Sequence, residues 1–455
     1  MNAPEPEPFE MDGKTIDAAK VAELARLTPM EYDRQRQAKA EEMRVRMATL
    51  DAEVERARGR TRTVEESGDS IVEQLQPWES GVNGAELADE IHDTLCRHIT
   101  FQEEGDPIAA TLWILGTYLM DIWRLWPKVF ISSPAKRCGK SSLTELIEAQ
   151  VHRPMLVSNI SAAALFRTIE AYAPTILLDE SDTFLTQNYE ANGILNAGHT
   201  RRTAFVVRLV GDAHEPCKFS VWAAQVVTGI GKQRDTLEDR SIRIDLKRQL
   251  PGERKAKIPV DLFSSRTETR RKALRWAEDS KQAIGAATNE PGDCGNDRAQ
   301  DNWTPLFRIA AVLGGHWPER IRTAYLVKES AREADDEDDE DDEDDEDDAA
   351  LMLLHDMHEV FKRKNADRVS SEDMQLCLEN MEDRPWAEWS RGSPINKTGI
   401  ARKVRAFDVR ARKLRIGGEA KNGYERSDVE DACTRYASQN THSLSGTLEQ
   451  ANINN

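Results

Sequence analysis

The decapeptide Ser133-Pro134-Ala135-Lys136-Arg137-Cys138-Gly139-Lys140-Ser141-Ser142 combines glycine, lysine and hydroxyls at the spacing a phosphate-binding turn needs. A short apolar run, VFIS, precedes it, and a helix-forming run, SSLTELIEA, follows. In that context the backbone N–H groups of the turn and of the helix start point at phosphate oxygens. Lys140 then supplies a mobile positive charge near the β- and γ-phosphates, the hydroxyl of Ser141 reaches Mg²⁺, and Gly139 permits close backbone approach. The expected phosphate ligands are Lys136, Arg137, Cys138, Gly139, Lys140, Ser141 and Ser142. The motif departs from GxxxxGK[ST] at its first position, where Pro134 replaces glycine. That position mainly shapes the turn, so phosphate binding is expected to survive.

A second segment supplies the acids such a site requires. Pro174-Thr175-Ile176-Leu177-Leu178-Asp179-Glu180 reads as a buried strand ending in two carboxylates, with Asp179 39 residues after Lys140. Asp179 is expected to hold Mg²⁺ and Glu180 to polarise the attacking water. The alternative is a core strand capped by an exposed acidic turn. The run FSVWAAQVVT, residues 219–228, ends in Thr228, a hydroxyl placed to orient water between the two motifs. Asp235-Thr236-Leu237-Glu238-Asp239-Arg240 puts Arg240 just before the last strand, where an arginine can reach the γ-phosphate held by a neighbouring subunit. A surface ion pair with Glu238 or Asp239 is the other reading of Arg240, and Arg243 is its competitor for the role.

These residues need a scaffold that brings strand ends together. Short apolar runs at 128–132, 175–178, 205–209, 219–228 and 242–246 alternate with helical stretches, the pattern of a three-layer α/β sheet. Ahead of them, Leu87, Ile91, Leu95, Leu112, Leu115, Leu119 and Ile122 recur at helical spacing. After them, Trp276, Trp303, Leu306, Ile309, Ala310 and Leu313 form packing stripes of further helices. The expected organisation is a charged helical arm (1–77), a helical lead-in (78–125), the nucleotide core (126–250) and a helical lid (251–332). An acidic disordered linker (333–350), a compact helical unit (351–437) and a disordered tail (438–455) complete it. Within the arm, Thr28-Pro29 is expected to start one helix and Met43 to Leu50 to turn into a second ending near Arg58. The pair reads as an assembly arm or a frayed linker, with a small helix-turn-helix as the alternative.

The formal charge of −19 is misleading as a guide to partners, because one run, Asp335 to Asp348, holds 14 consecutive carboxylates and the rest of the chain carries −5. Like charges with nothing apolar to bury do not fold on themselves, so the run is read as a solvated tether; a nucleic-acid mimic or a metal sponge is the alternative. Six scattered cysteines without a CxxC pair fit neither a zinc site nor a disulfide framework and point to a reducing cytosol. The most apolar stretch, Ile108 to Trp123, is short and contains Asp121, which suits a buried helix and not a bilayer span.

Between Lys397 and Arg426 ten basic residues face three acids, Asp408, Glu419 and Glu425. A helix (KTGIARKVRAF), a basic strand (ARKLRIG), a Gly-rich turn and a last helix follow in the order of a winged helix, with Lys397, Arg402, Lys403, Arg405, Arg412, Lys413 and Arg415 as candidate DNA contacts. A solvated basic face, or one docked against the acidic tether, is the alternative.

The combination SPAKRCGKSSL, LLDESDTFL, DTLEDRSIRI and RAQDNWTPLFRIAAVLGGHWP, continuing into LLHDMHEVF, RPWAEW and ARKVRAFDV, resembles the phage-, plasmid- and island-associated P-loop ATPases catalogued as domain of unknown function 3631. The resemblance covers roughly residues 85–437, and proline ahead of the loop is usual in that family. It implies an AAA+-like ATPase core, often encoded beside primase modules, with ATP and Mg²⁺ as cofactors. The acidic run has no counterpart there. The expected protein is a cytoplasmic ATPase of a phage or mobile element, in a homo-oligomeric ring, acting on DNA as a helicase or loader. A nucleotide switch in an element-encoded or anti-phage system is the first alternative, and a non-catalytic DNA-binding adaptor the second.

Overall fold

A computed structural model describes most of residues 20–54 and 72–436; within those spans, residues 22, 26, 28, 44, 48, 52, 180–187, 211–213, 230–234, 251, 254, 293–296, 337–345, 383 and 390–392 are not described. The chain divides into two units, Met1–Glu73 and Gln74–Asn455. In the first, helix α1 (Pro29–Glu42) starts on the expected proline, whose missing N–H costs nothing at that position. Leu24, Tyr32, Ala40, Leu50 and Val54 bury themselves together, and the Tyr32 hydroxyl donates to Asp51 Oδ1 at 2.9 Å. The charged arm thus has a small apolar core of its own. Its expected end near Arg58 lies outside the described residues.

The second unit opens with α2 (Gly84–His98) and α3 (Gly105–Gly116). Asn83 caps α2 by accepting from the N–H groups of Ala85 and Glu86. Every residue of α3 is buried, as its near-continuous apolarity predicts. Strand β1 (Lys128–Ser132) leads into α4 (Lys140–Glu148), followed by β2 (Pro154–Val157), α5 (Ala162–Tyr172), β3 (Thr175–Leu178) and α6 (Tyr189–Ala197). A two-stranded hairpin, β4 (Phe205–Val210) and β5 (Glu215–Ser220), comes next, then β6 (Gln225–Thr228) and β7 (Ser241–Asp245).

Five strands form one sheet in the order β2-β3-β6-β1-β7, and every pair is parallel. The pleat of the central strands sends alternate residues to opposite faces. Val129, Ile131, Leu177 and Val226 join one apolar cluster with α2, α3 and α4, whereas Phe130, Ile176, Leu178 and Val227 join another with α5 and α6. Both faces of the sheet are therefore covered by helices, in accord with the three-layer expectation. The run 219–228, expected as one strand, is divided. Its first residues finish the hairpin, Val221 N–H donates to Ala204, and only 225–228 enter the main sheet. Likewise 205–209 is a strand, but outside the central sheet.

Helices α7 (Thr267–Ala286), α8 (Asp297–Leu313) and α9 (Trp317–Asp336) pack against α2 and α3, with Trp276, Trp303, Leu306, Ile309 and Leu313 in the same core. Lys328 of α9 is buried against Asp106 of α3 and lies 3.6 Å from Asp245 at the end of β7. Burial, opposed by Lys328, pushes the Asp106 carboxyl up to about 7. Helix α9 extends to Asp336 and α10 (Glu346–Lys364) begins within the acidic run, so both ends of the expected linker are helical; residues 337–345, and the expected tail, lie outside the described residues.

The C-terminal segment continues with β8 (Arg368–Ser370), α11 (Ser371–Glu379), α12 (Lys397–Arg405), β9 (Arg412–Ile416), β10 (Glu419–Glu425) and α13 (Arg426–Tyr436). The three strands make an antiparallel sheet in the order β8-β10-β9. Gly417 and Gly418, at φ of 61° and 92°, supply the two left-handed positions of the tight turn between β9 and β10. Among the described residues no helix is long and apolar enough to cross a membrane.

Candidate phosphate-binding site

In a parallel sheet all strands end on one edge, so the residues that follow β1, β3 and β6 are brought together by the topology alone. The register pairs Ile131 with Thr228 and Leu178 with Val227, which sets Asp179 beside Thr228 and both beside the loop that leaves β1. Thr228 Oγ1 donates to Asp179 Oδ1 at 3.2 Å. Within the loop, Lys140 Nζ donates to Ser133 Oγ at 2.9 Å, and that hydroxyl donates to the carbonyl of Ala135 at 2.8 Å.

The loop's backbone has the form of an anion cradle. Arg137 at φ 65° and Gly139 at φ 95° are both left-handed, a concave arrangement that turns successive N–H groups inward. A Cβ at Gly139 would meet only Ile99 Cδ1, at 3.9 Å, so backbone conformation and not crowding is what requires glycine there. Helix α4 starts at Lys140, and its N-cap is Gly139, which has no side chain to bond the first amides, the kind of helix start at which an anion binds. Cys138 is buried and turns its thiol toward the carbonyl of Ala135 at 3.2 Å.

One cavity of about 850 Å³ is lined by residues 136–142, Asp179 and Thr228, together with residues 98–100, Lys247 and Gln249. All seven expected phosphate ligands, the expected metal ligands Ser141 and Asp179, and Thr228 therefore border the same space. The donor set fits a polyphosphate with a divalent cation: an ammonium, inward amides, a hydroxyl and one carboxylate. Glu180 lies outside the described residues. Among the described residues of 251–332 none lines this cavity; helices α7, α8 and α9 share their apolar core with α2 and α3.

Arg240 is not brought to the cavity within one chain. It precedes Ser241, which pairs with Lys128 at the start of β1, whereas the loop begins beyond the far end of that five-residue strand. At about 3.3 Å per residue the two are separated by roughly 16 Å. The Arg240 carbonyl accepts from Lys128 N–H at 2.9 Å. Burial, and secondarily Arg240, lowers the Lys128 ammonium to about 7. Nearby, Glu238 faces Arg243 at 3.7 Å and Asp239 pairs with Arg298. Arg243 is held by Asp245 at 2.7 Å.

The basic C-terminal residues fall into distinct environments. Lys397, Lys413 and Arg415 are exposed, and Arg402 and Arg405 are half-buried. Lys403 is buried, its ammonium 4.7 Å from the centre of the Trp389 ring. Arg412 pairs with Glu425 at 2.7 Å and Asp428 at 2.8 Å, and Arg410 reaches Glu103 at 2.6 Å. Residues 98–100, Lys247 and Gln249 were not anticipated, because no motif marks them. Only their position beside the sheet edge gives them a place in the cavity.

With the geometry in hand, the chain can be set beside known proteins. Residues 245–436 match the family described as "Protein of unknown function (DUF3631)". That stretch begins at the end of β7, so it takes in the helices after the sheet and the C-terminal segment, but neither the phosphate loop nor Asp179. Over 202 residues the chain is 28% identical to the "Uncharacterized 28.9 kDa protein in xis 5'region" of Saccharopolyspora erythraea, covering 43% of this chain and 70% of that protein. Among solved structures it is similar to "The A form apo structure of NrS-1 C terminal region-CTR", with 14% identity, a TM-score of 0.30 and 77% of each chain covered. It is also similar to "Structure of Drosophila ORC bound to DNA", with 12% identity, a TM-score of 0.20, and 82% and 98% of the two chains covered. The chain is thus an α/β protein with a parallel central sheet, and its C-terminal part is similar to a family whose function is not stated.

Proposed function

We propose that this chain is an AAA+-like P-loop ATPase of a phage or mobile element, acting on DNA through a winged-helix-like C-terminal domain. The observation that carries the reading is the convergence of the Lys140 loop, Asp179 and Thr228 on one cavity at a single sheet edge. Loop amides and Lys140 would bind the phosphates of ATP, and Ser141 and Asp179 would hold Mg²⁺, which neutralises phosphate charge when bound. Thr228, already hydrogen-bonded to Asp179, orients water at the same edge. Glu180, next in sequence, is assigned the general base. Arg240, on the opposite edge of the sheet, serves the cavity of an adjacent subunit, which makes a homo-oligomeric ring part of the proposal.

The helix–strand–helix–helix–strand–strand–helix order of 346–436, with β9 and β10 as the wing, supports the winged-helix reading. Lys397 on the second of its paired helices and Lys413 and Arg415 on the wing are the exposed cations best suited to phosphate contact. Binding of that kind is salt-sensitive and only weakly sequence-selective. The mobile-element part of the reading rests on the family resemblance and on the relative whose name locates it 5′ of xis.

The decisive experiment measures ATP turnover by the wild-type chain and by Lys140→Ala, with and without single-stranded DNA. The expected result is turnover that DNA stimulates and that Lys140→Ala abolishes. Turnover indifferent to DNA would favour a nucleotide switch, and no turnover with no nucleotide uptake would remove the ATPase reading.

A further inference from the structure

Arg248 sits in the segment that follows β7, between the cavity-lining residues Lys247 and Gln249, yet does not itself line the cavity. It reaches behind the phosphate loop, where its Nη2 donates to the carbonyl of Lys136 at 2.8 Å. With its other nitrogen, Nη1, it donates to the carbonyl of Arg435 in the last turn of α13, at 3.1 Å. Its backbone N–H donates to the Tyr436 hydroxyl at 3.2 Å, and its guanidinium lies 5.6 Å from the centre of the Tyr436 ring. One planar fork therefore ties the phosphate loop to the end of the C-terminal domain.

The tie is reciprocated. Arg435 donates to the Arg248 carbonyl at 2.8 Å and grips Glu253 with two bonds of 2.6 Å. Tyr436 also packs on Phe407, 5.1 Å between ring centres, so the whole clamp is anchored in the fold that carries α12 and the wing. Bidentate arginine–carboxylate contact of this kind is directional and breaks as a unit.

The pinned carbonyl matters because of peptide geometry. The C=O of Lys136 and the N–H of Arg137 belong to one trans peptide and point in opposite directions. Holding the carbonyl behind the loop aims the Arg137 amide to the other side, where residues 136 and 137 border the cavity. The left-handed Arg137, at φ 65°, needs outside support of this sort, since an ordinary side chain adopts that conformation at a cost.

We propose that Arg248 is a positioning residue that sets the phosphate loop according to whether helix α13 is docked, coupling the C-terminal domain to polyphosphate binding. The inference rests on the reading that the cavity takes a nucleoside triphosphate. With α13 docked, the guanidinium is held in place and the Arg137 amide faces the ligand. When α13 departs, Arg248 loses its anchor and the loop loses one aligned donor. Coupling of this kind is reciprocal, so a bound triphosphate must also stabilise the docked helix.

The test uses the full chain, a fluorescent ATP analogue with Mg²⁺, and hydrogen exchange of residues 426–436 with and without Mg²⁺ and AMP-PNP. In the wild type, AMP-PNP should slow exchange of 426–436. Arg248→Ala should weaken analogue binding about tenfold or more, the scale of a lost charge-assisted hydrogen bond, and abolish the slowing. Arg248→Lys, which reaches one carbonyl at a time, should recover binding in part. Glu253→Gln loosens the Arg435 clamp without touching the loop; it should speed exchange of 426–436 and weaken the analogue severalfold, and it serves if Arg248→Ala does not fold. Analogue binding as tight as wild type in both Arg248→Ala and Glu253→Gln, with 426–436 protected as before, would overturn the inference while leaving the nucleotide site intact. A wild-type chain that takes up no analogue would overturn the nucleotide reading itself, and the inference with it.

Discussion

Lys128→Met should stabilise this protein, and by an amount that depends on pH. Lys128 is the first residue of β1, 2% exposed, and its Nζ is buried without a hydrogen-bond partner. Burial, then Arg240, lowers its ammonium from 10.5 to about 7. Between those two values the unfolded chain holds a proton that the folded chain has released, so stability rises with pH across that window. Below about 7 both states are protonated and the full cost of burying the charge is present. At 1.36 kcal/mol per pH unit the gap amounts to roughly 5 kcal/mol below the window and about 4 kcal/mol at neutral pH. Methionine keeps the unbranched aliphatic stem and removes the charge, so packing changes little. Allowing for local relaxation, the variant should gain about 2–4 kcal/mol at pH 6.5, several degrees in Tm. The pH-dependent part of that gain should shrink as pH rises and vanish above about pH 11. Calorimetry of both proteins at pH 6.5, 8 and 9.5 reads the difference directly. A stability difference that does not change with pH, or a variant less stable at pH 6.5, would refute the reasoning.

Lys328→Met should act in the opposite direction, because it strands Asp106 and Asp245 in the interior; a loss of about 3–5 kcal/mol is expected, read as a lower urea midpoint, and an unchanged midpoint would remove Lys328 from that role. Gly139→Ala forces a side chain onto φ 95°, at roughly 1–3 kcal/mol; analogue binding should fall far more than Tm, and retained binding would show that the loop's curvature is dispensable. Thr228→Val keeps shape but deletes the hydrogen bond to Asp179; turnover should drop about tenfold with ATP affinity nearly unchanged, and a normal turnover rate would free Thr228 from its assignment.

Much of the scaffold was legible because its signals are local. The loop sits between VFIS and SSLTELIEA, and β1, β3 and β7 each match an apolar run within a residue or so. Strand β2 was missed: PMLV starts with proline, is partly exposed, and lies at the sheet edge, where neither strong β-formers nor full burial is required. The division of 219–228 was missed because one apolar run serves two sheets, and only pairing partners mark where it changes allegiance. The basic C-terminal count was read correctly, but charge counting does not show that Arg410 and Arg412 find carboxylates at Glu103 and Asp428.

The kinds of chemistry available to this protein were determined by residue order alone: a glycine–lysine–hydroxyl turn between a strand and a helix, and an acid at a strand end. Those features depend on neighbours a few residues away. Tertiary structure alone decided that β6 lies between β3 and β1, that Thr228 meets Asp179 there, and that Arg240 sits at the opposite edge. It alone joined Arg248 to residues more than a hundred positions away on either side. Pairing order and buried polar contacts are set by which surfaces exclude water together, and that is a property of the folded whole and not of any window of sequence.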